Sequence, residues 1–541
     1  MTLQTLENAQ EETLTGSNGK SASPAARTEI PCIDPATRAS LGSVKVDGPL
    51  AVREAVARAR HAQKRWRNTS FEQRRRVLAK LLDLVLDNDE RLVESVVRDC
   101  GKTRENALMG EIWPVCEKLR WTIANAEKHL VAEEVSAGML LHKRARLEYH
   151  PLGVVGAIVP WNYPLQNIMN PAIPALMAGN GFVVKPSEWV AWSSASFVDL
   201  LREALASEGH DPELVQLVNG YAETGRALIE APVDMLVFIG SVENGKRVLE
   251  TAARQLVPVV LELGGKDPFI VCDDANLEAA VHGALTGTFI NCGQNCVASE
   301  RVLVHEKVAS RFEAMIADIA GNLRQGSPLG GEVVDVGAMC TPLQVDIVER
   351  LVKRAVEQGA RVVVGGERVK ASEGEYFAPT VLADVTPDME IMQEETFGPV
   401  MLLCRVTGDA DAIEIANGTA FGLGSSVFSA DRARARRIAR EVKAGMAGIN
   451  DYGGMTYMAQ ELTFGGIKHS GFGRINGREG LRAMCNVKAV LDDRFAFTAP
   501  SKVYPVSAKD FGLTAATLQL LYGRGIKRKL SGFGRLLRSL F

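Results

Sequence analysis

Two cysteines bracket the run Cys292-Gly293-Gln294-Asn295-Cys296 near the middle of the chain. No second Cys/His pair stands at the spacing that would complete a tetrahedral zinc site. Cys296, set among Gly, Gln and Asn, is therefore a candidate nucleophile as its thiolate. A free cysteine is as readily a small buried apolar residue, so the reading needs chemical partners elsewhere. Glu262 is one. It closes the apolar run Pro258-Val259-Val260-Leu261 and is followed, after Leu263, by two glycines. A carboxylate there either caps local N–H groups or acts as a general base in a half-apolar pocket. Asn162, between Pro160 and Pro164, is an ordinary turn amide or a donor to an oxyanion. Nothing in the sequence forms a metal-ligand set.

Two further stretches have the chemistry of a nucleotide site. Lys185-Pro186-Ser187-Glu188 follows an apolar run, at the end of a strand where parallel sheets bind ligands. Its Lys and Glu could both hydrogen-bond ribose hydroxyls; otherwise it is a solvated loop. Gly240-Ser241-Val242-Glu243-Asn244-Gly245 is a glycine pair between a strand and a helix, a turn that lets a helix N-terminus approach a pyrophosphate. It lacks the full GxGxxG pattern.

The elements that hold these residues read as follows. Residues 51–66, 71–87 and 89–99 are helical, the second with Val77, Leu78, Leu81, Leu82 and Val85 at helical spacing, the third stopped by Gly101. Another helix is predicted from about 106 past 121. Residues 140–148 alternate and read as an exposed strand or hairpin. Residues 154–159 are a continuous apolar run typical of a buried parallel strand, and 181–186, 215–218 and 235–240 read as further buried strands, with helices between them. That alternation predicts a doubly wound parallel α/β domain. It resumes after 258–271, with helices at 277–288, 308–322 and 343–358 and strands at 302–304, 362–364 and 400–406, which predicts a second α/β domain. A last strand at 484–491 would pair with 140–148 or with another subunit.

The totals agree. A chain of 541 residues is expected to hold roughly two to four domains. Hydrophobic content of 46%, charged content of 23% and net charge −3 are ordinary for a globular protein and carry no nucleic-acid signature. Nine scattered cysteines without a CxxC pair point to reduced thiols in a cytoplasm-like compartment. Residues 1–30 read as a disordered lead-in without a signal-peptide core, and no apolar run is long enough for a transmembrane helix.

Seven segments together resemble the NAD(P)-dependent aldehyde dehydrogenase superfamily: Pro160-Trp161-Asn162-Tyr163-Pro164, Lys185-Pro186-Ser187-Glu188, Gly240-Ser241, Leu261-Glu262-Leu263-Gly264-Gly265, Gly293-Gln294-Asn295-Cys296, Glu394-Glu395-Thr396-Phe397-Gly398-Pro399 and Phe464-Gly465-Gly466-Ile467-Lys468-His469-Ser470-Gly471. They stand in the family's order, and the resemblance runs from Ile33 to Arg494. It implies two doubly wound parallel-sheet domains plus a small β oligomerisation element. The implied layout is 31–138 with 152–262 as NAD-binding domain, 263–479 as catalytic domain, and 139–151 with 480–495 as oligomerisation strands of a homodimer or homotetramer. It also implies an aldehyde oxidised to an acid as NAD is reduced. Cys296 would form a thiohemiacetal and then a thioester; its N–H and Asn162 would hold the oxyanion, and Glu262 would activate water. Lys185 and Glu188 would grip the adenosine ribose, Ser241 with Gly240 the pyrophosphate and Glu395 the nicotinamide ribose. Trp161, Ser187 and Phe397 complete the cofactor set. An anionic Glu188 favours NAD, though Lys185 offsets part of the repulsion of a 2′-phosphate and leaves NADP open. CoA-acylating relatives lack a Glu at the position of Glu262. Besides that acylating alternative, a non-catalytic scaffold of the same fold is a separate reading, against which the intact Cys296, Glu262 and Asn162 stand. Asp451, Tyr452, Met455 and Tyr457 fall where the family lines its substrate entrance, which would suit apolar or amphipathic aldehydes. Cys292 matches no catalytic role.

The resemblance stops before the segment 496–541. From Ser501 on, eight basic residues face one acid, Asp510. Ile526, Leu530, Phe533, Leu537, Leu540 and Phe541 share one helical face, opposite Lys527, Arg528, Arg535 and Arg538. Such a helix docks on its own chain, a neighbouring subunit, a partner, or a membrane through 526–541. Gly532 and Gly534 would weaken it by about 1 kcal/mol each.

Overall fold

The computed structural model describes residues 27–369, 373–498 and 503–540. The expected lead-in lies outside the described residues up to position 26. At its end the strand Glu29–Ile33 pairs antiparallel with Ser40–Lys45, a hairpin the sequence pattern did not announce.

Among the described residues, those up to Val131 and those of Tyr149–Lys488 form one compact unit, built on two sheets. The first has six strands in the order Gly471–Phe472, Val259–Leu263, Met235–Gly240, Val154–Val159, Gly181–Pro186, Val215–Leu217. All pair in parallel except Gly471–Phe472, which runs antiparallel to Val259–Leu263. Side chains alternate between the two faces, and both faces are covered, which is why these strands are mostly apolar. Val155 and Ala157 join Phe182 and Val184 in a core under the helices Phe71–Asp87, Trp113–Leu130, Pro164–Met177 and Ala191–Ser207. Val154 and Val183 point the other way, into a core with Val52 and Val56 of Pro49–Trp66, Leu228 of Ala222–Glu230 and Val248 of Val242–Ala253. The second sheet has seven strands in the order Arg361–Val364, Thr380–Ala383, Val400–Val406, Arg301–His305, Pro268–Val271, Ser426–Phe428, Gly448–Ile449. Only its edge strand Arg361–Val364 is antiparallel. The helices Leu277–Phe289, Glu306–Ala320 and Pro342–Glu357 accompany it.

Ala132–Glu148 and Ala489 onward form the second unit. A three-stranded sheet runs in the order Cys485–Asp493, Lys143–Pro151, Glu133–Val135. The strand expected at 140–148 begins at Lys143 because the preceding residues make a turn, in which the Lys143 N–H donates to the Leu140 carbonyl. Two helices, Asp510–Tyr522 and Ile526–Leu540, follow; the first of them was not expected.

The helix expected from 106 is broken into Arg104–Ala107, a π turn Leu108–Ile112 and Trp113–Leu130. Pro114 has no N–H to return to the Gly110 carbonyl, and the helix widens there. Gly110 sits against the Tyr163 ring, where a Cβ would overlap it.

Candidate active site

One large cavity, about 1480 Å³, is lined by the C-terminal ends of the six-stranded sheet, by the Cys296 loop and by the segment around Glu395. Of the eleven sequence-predicted site residues, all line it: Cys296, Glu262, Asn162, Trp161, Lys185, Ser187, Glu188, Gly240, Ser241, Glu395 and Phe397. Tyr452, Met455 and Tyr457 line it too; Asp451 does not.

Cys296 ends a loop whose polar residues each have a structural task. Asn291, Cys292 and Gly293 are all left-handed, with φ of 53°, 56° and 72°. Two such non-glycine residues in succession store strain that the surroundings must overcome. They do so by side-chain amides. Asn291 N donates to Asn106 Oδ1 (2.7 Å), and Asn291 Nδ2 donates to the carbonyls of Asn162 (2.9 Å) and Gln294 (3.0 Å). Gln294 Nε2 returns to the Asn291 carbonyl (3.1 Å), while its Oε1 accepts from Cys340 N (2.8 Å). Asn295 Nδ2 donates to the Tyr452 hydroxyl (2.7 Å). Gly293 has no room for a side chain, since a Cβ would fall on the Gly398 carbonyl. The Cys296 N–H that follows has no acceptor among the described residues.

Glu262 lies in the strand Val259–Leu263, flanked by Ile239 on one side and Gly471 on the other. Only 4% of it is exposed, and its Oε1 has no hydrogen-bond partner among the described residues. Burial pushes its carboxyl up to about 7, and the neighbouring Cys296 thiol holds it lower than burial alone would. The same proximity works in reverse: burial, and then the Glu262 carboxylate, raise the Cys296 thiol well above its ordinary range. Thiol and carboxyl thus compete for one proton.

Asn162 is fixed on three sides. Its Nδ2 donates to the Gln294 carbonyl (3.2 Å), leaving one amide hydrogen over. Its Oδ1 accepts from Asn167 Nδ2 (3.1 Å), and its backbone carbonyl accepts from Lys102 Nζ (2.8 Å). Lys102 is wholly buried and paired with buried Glu111 at 2.7 Å, and its Nζ stands 4.0 Å over the Tyr163 ring. Glu111 in turn accepts from Gln166 N (2.8 Å).

The polar arm of the cavity fits a dinucleotide. Lys185, 5% exposed, meets Glu188 at 3.6 Å, so a cation and a carboxylate are presented together. Ser241 is the N-cap of Val242–Ala253, its hydroxyl accepting from Asn244 N (3.4 Å), and Val242, Glu243 and Asn244 line the cavity, so the positive end of that helix is presented there. Glu395 accepts from Gly265 N (3.0 Å) and occupies the space a Cβ on Gly264 would need. Phe397, left-handed at φ 50°, stacks edge-on against Trp161 with ring centroids 5.5 Å apart. Its unusual backbone is clamped by Glu300, which accepts from the N–H groups of Thr396 and Phe397 and pairs with buried Lys266. Ser187 caps the short turn Glu188–Val190.

The sequence reading missed the support: Lys102, Glu111, Asn106, Gln294, Cys340 and the Lys266–Glu300 pair. Gln294 stood in a quoted motif, but only as polar context for the cysteine. Lys102 and Asn106 carried no signal at all.

Comparisons with known proteins converge on one family. The profile of the aldehyde dehydrogenase family matches residues 22–490. An aldehyde dehydrogenase-like protein of Schizosaccharomyces pombe is 39% identical over 508 residues, covering 92% of this chain and 97% of its own. The 4,4'-diapolycopene aldehyde oxidase of a Methylomonas species is 36% identical, covering 92% of each. The NAD+ complex of an aldehyde dehydrogenase from Bacillus cereus superimposes with a TM-score of 0.81 at 31% identity, over 86% of this chain and 94% of that one. The chain belongs to the aldehyde dehydrogenase family. It is an oxidoreductase that acts on an aldehyde, in a family that uses NAD or NADP.

Proposed function

We propose that Cys296 is the nucleophile, Glu262 the base and Asn162, with the Cys296 N–H, the oxyanion site of this oxidation. One observation carries the assignment: a buried carboxyl raised to about 7, with an unpartnered oxygen, stands beside the one thiol that lines the large cavity among the described residues. The Cys296 proton moves to Glu262 as sulfur bonds to the carbonyl carbon. The carbonyl electron pair moves to oxygen, which the free N–H of Cys296 and the spare amide hydrogen of Asn162 receive. What NAD supplies there, when bound, is a hydride acceptor. Loss of hydride leaves a Cys296 thioester. Glu262 gives up the thiol proton to solvent and, a carboxylate again, takes a proton from water as the water oxygen bonds to the acyl carbon; the C–S bond then breaks with its electron pair on sulfur, which takes the proton back from Glu262 as the acid leaves.

Lys185, Glu188, Ser241, Gly240, Glu395, Trp161, Ser187 and Phe397 hold the cofactor in this reading. Residues 31–138 and 152–262 are the cofactor domain and 263–479 the catalytic domain. The carboxylate of Glu188 makes NAD the better substrate than NADP. Met109, Trp113, Met455, Met458, Tyr457 and Phe464 also line the cavity, with Met109, Trp113 and Met455 46%, 54% and 41% exposed. This wall suits an apolar aldehyde. The exposed edge strand Cys485–Asp493 supports a homodimer or homotetramer, and nine free cysteines support a reducing, cytoplasmic setting.

An aldehyde panel read by NADH absorbance, with NAD or NADP and with or without CoA, tests the reading. Cys296→Ala should abolish turnover. Glu262→Gln should leave a burst of NADH followed by turnover slowed about 10²–10⁴-fold, in the range of general-base loss. An unchanged steady rate in Glu262→Gln would give the water step to another base, and an absolute need for CoA would make the enzyme acylating.

A further inference from the structure

The cationic C-terminal segment has no part in this chemistry. Asp510–Tyr522 and Ile526–Leu540 pack on each other as a helical hairpin. Small residues make their contact: Ala516 is wholly buried, a Cβ on Gly532 would press on Gln519 and the Leu520 backbone, and one on Gly512 would meet Ser539. With Gly532 turned inward, Ile526, Leu530, Phe533 and Leu537 point outward, 78%, 63%, 50% and 43% exposed. Their spacing makes one continuous stripe. At about 100° per residue, Lys527 and Arg538 fall on one flank of that stripe and Lys529 on the other. Leu521 and Tyr522, beside the turn of the hairpin, are exposed as well.

We propose that this helix docks on an anionic lipid surface, lying in the headgroup plane with its apolar stripe inward and its flanking cations on the phosphates. The helix carries five basic residues and no acid. Among the described residues none is long and apolar enough to cross a membrane, so the helix rests on the surface and does not span it. The charge pattern selects the occupant. A symmetric contact between two copies through this face would bring Lys527, Lys529 and Arg538 against cations like themselves. An anionic lipid surface accepts the stripe and both cationic flanks together, the long basic side chains reaching outward to the phosphates.

Vesicle sedimentation of the full chain tests this. Binding to vesicles rich in phosphatidylserine is expected to exceed that to phosphatidylcholine alone by at least about tenfold, and to fall at high salt as the cations are screened. Leu530→Glu with Leu537→Glu, and separately Lys527→Glu with Arg538→Glu, are expected to lose the binding and to keep NADH production from a soluble aldehyde. Background sedimentation on both vesicles, binding indifferent to lipid charge, or variants that bind as wild type does would each overturn the proposal. So would a fall in lipid-free oligomeric mass in Leu530→Glu with Leu537→Glu, which would make this face a contact between copies.

Discussion

Burial lifts the Glu262 carboxyl from its ordinary 4.5 to about 7, and this one shift governs both rate and stability. A base must be ionised to work, so thioester hydrolysis should rise with pH through about 7 and level off above it. Steady-state kcat against pH checks this; an inflection that persists in Glu262→Gln would belong to another group. The stability effect has the opposite slope. Between 4.5 and 7 the folded chain holds a proton the unfolded chain has lost, so stability falls as pH rises through that window. Above it the buried carboxylate is a standing cost, on the order of 3 kcal/mol at 1.36 kcal/mol per unit. Glu262→Gln should therefore be more stable than wild type at pH 9, with the advantage vanishing as pH falls toward 4.5; denaturant melts at both ends test it. A residue that destabilises its own fold is what a site tuned for chemistry looks like.

At the level of elements, the nucleophile loop depends on parts of the chain far from it. The Lys102–Glu111 pair lies at the π turn, with both side chains fully buried, and carries the Asn162 carbonyl on the lysine. Burial alone would raise Glu111, and Lys102 opposes it. Lys102→Met leaves a buried acid without its cation, a change that typically costs about 3–5 kcal/mol. A large drop in denaturation midpoint is expected, with weakened catalysis as Asn162 loses its anchor. Lys102→Met with Glu111→Leu should recover most of the stability and little of the rate. Equal rates in wild type and double variant would show that Lys102 does not position Asn162. The π turn itself follows from Pro114, and the same turn sets Met109 and Trp113 at the cavity wall.

At the scale of the molecule, the exposed strand Cys485–Asp493 has its outward face in Val487 and Leu491, 50% and 53% exposed. An edge strand with apolar residues outward attracts a partner strand. Val487→Asp with Leu491→Asp should shift the chain to a smaller species by light scattering after gel filtration. An unchanged mass would place the contact between copies elsewhere. That strand and the cationic hairpin are separate surfaces, and their variants should act independently.

What the sequence determined by itself is the local layer. Runs such as 154–159 and 181–184 are apolar without a break because both faces of those strands are buried, and their shortness and β-branched residues mark them as strands. The chemistry-bearing types were legible for a related reason: a carboxylate ending such a run, or an amide between two prolines, conflicts with its surroundings unless it has a use. The amphipathic stripe at 526–537 was equally visible from period alone. Only the tertiary structure decided the rest. Asn106, Cys340 and Lys102 reach the nucleophile loop and Asn162 from 46 to 185 positions away, and nothing in their own neighbourhoods marks them. The left-handed turn at Asn291 and Cys292, though braced locally by Asn291 and Gln294, also needs Asn106 and the Asn162 carbonyl. Strain of that kind is held by contacts from outside the segment, so it exists only once the chain has folded around it.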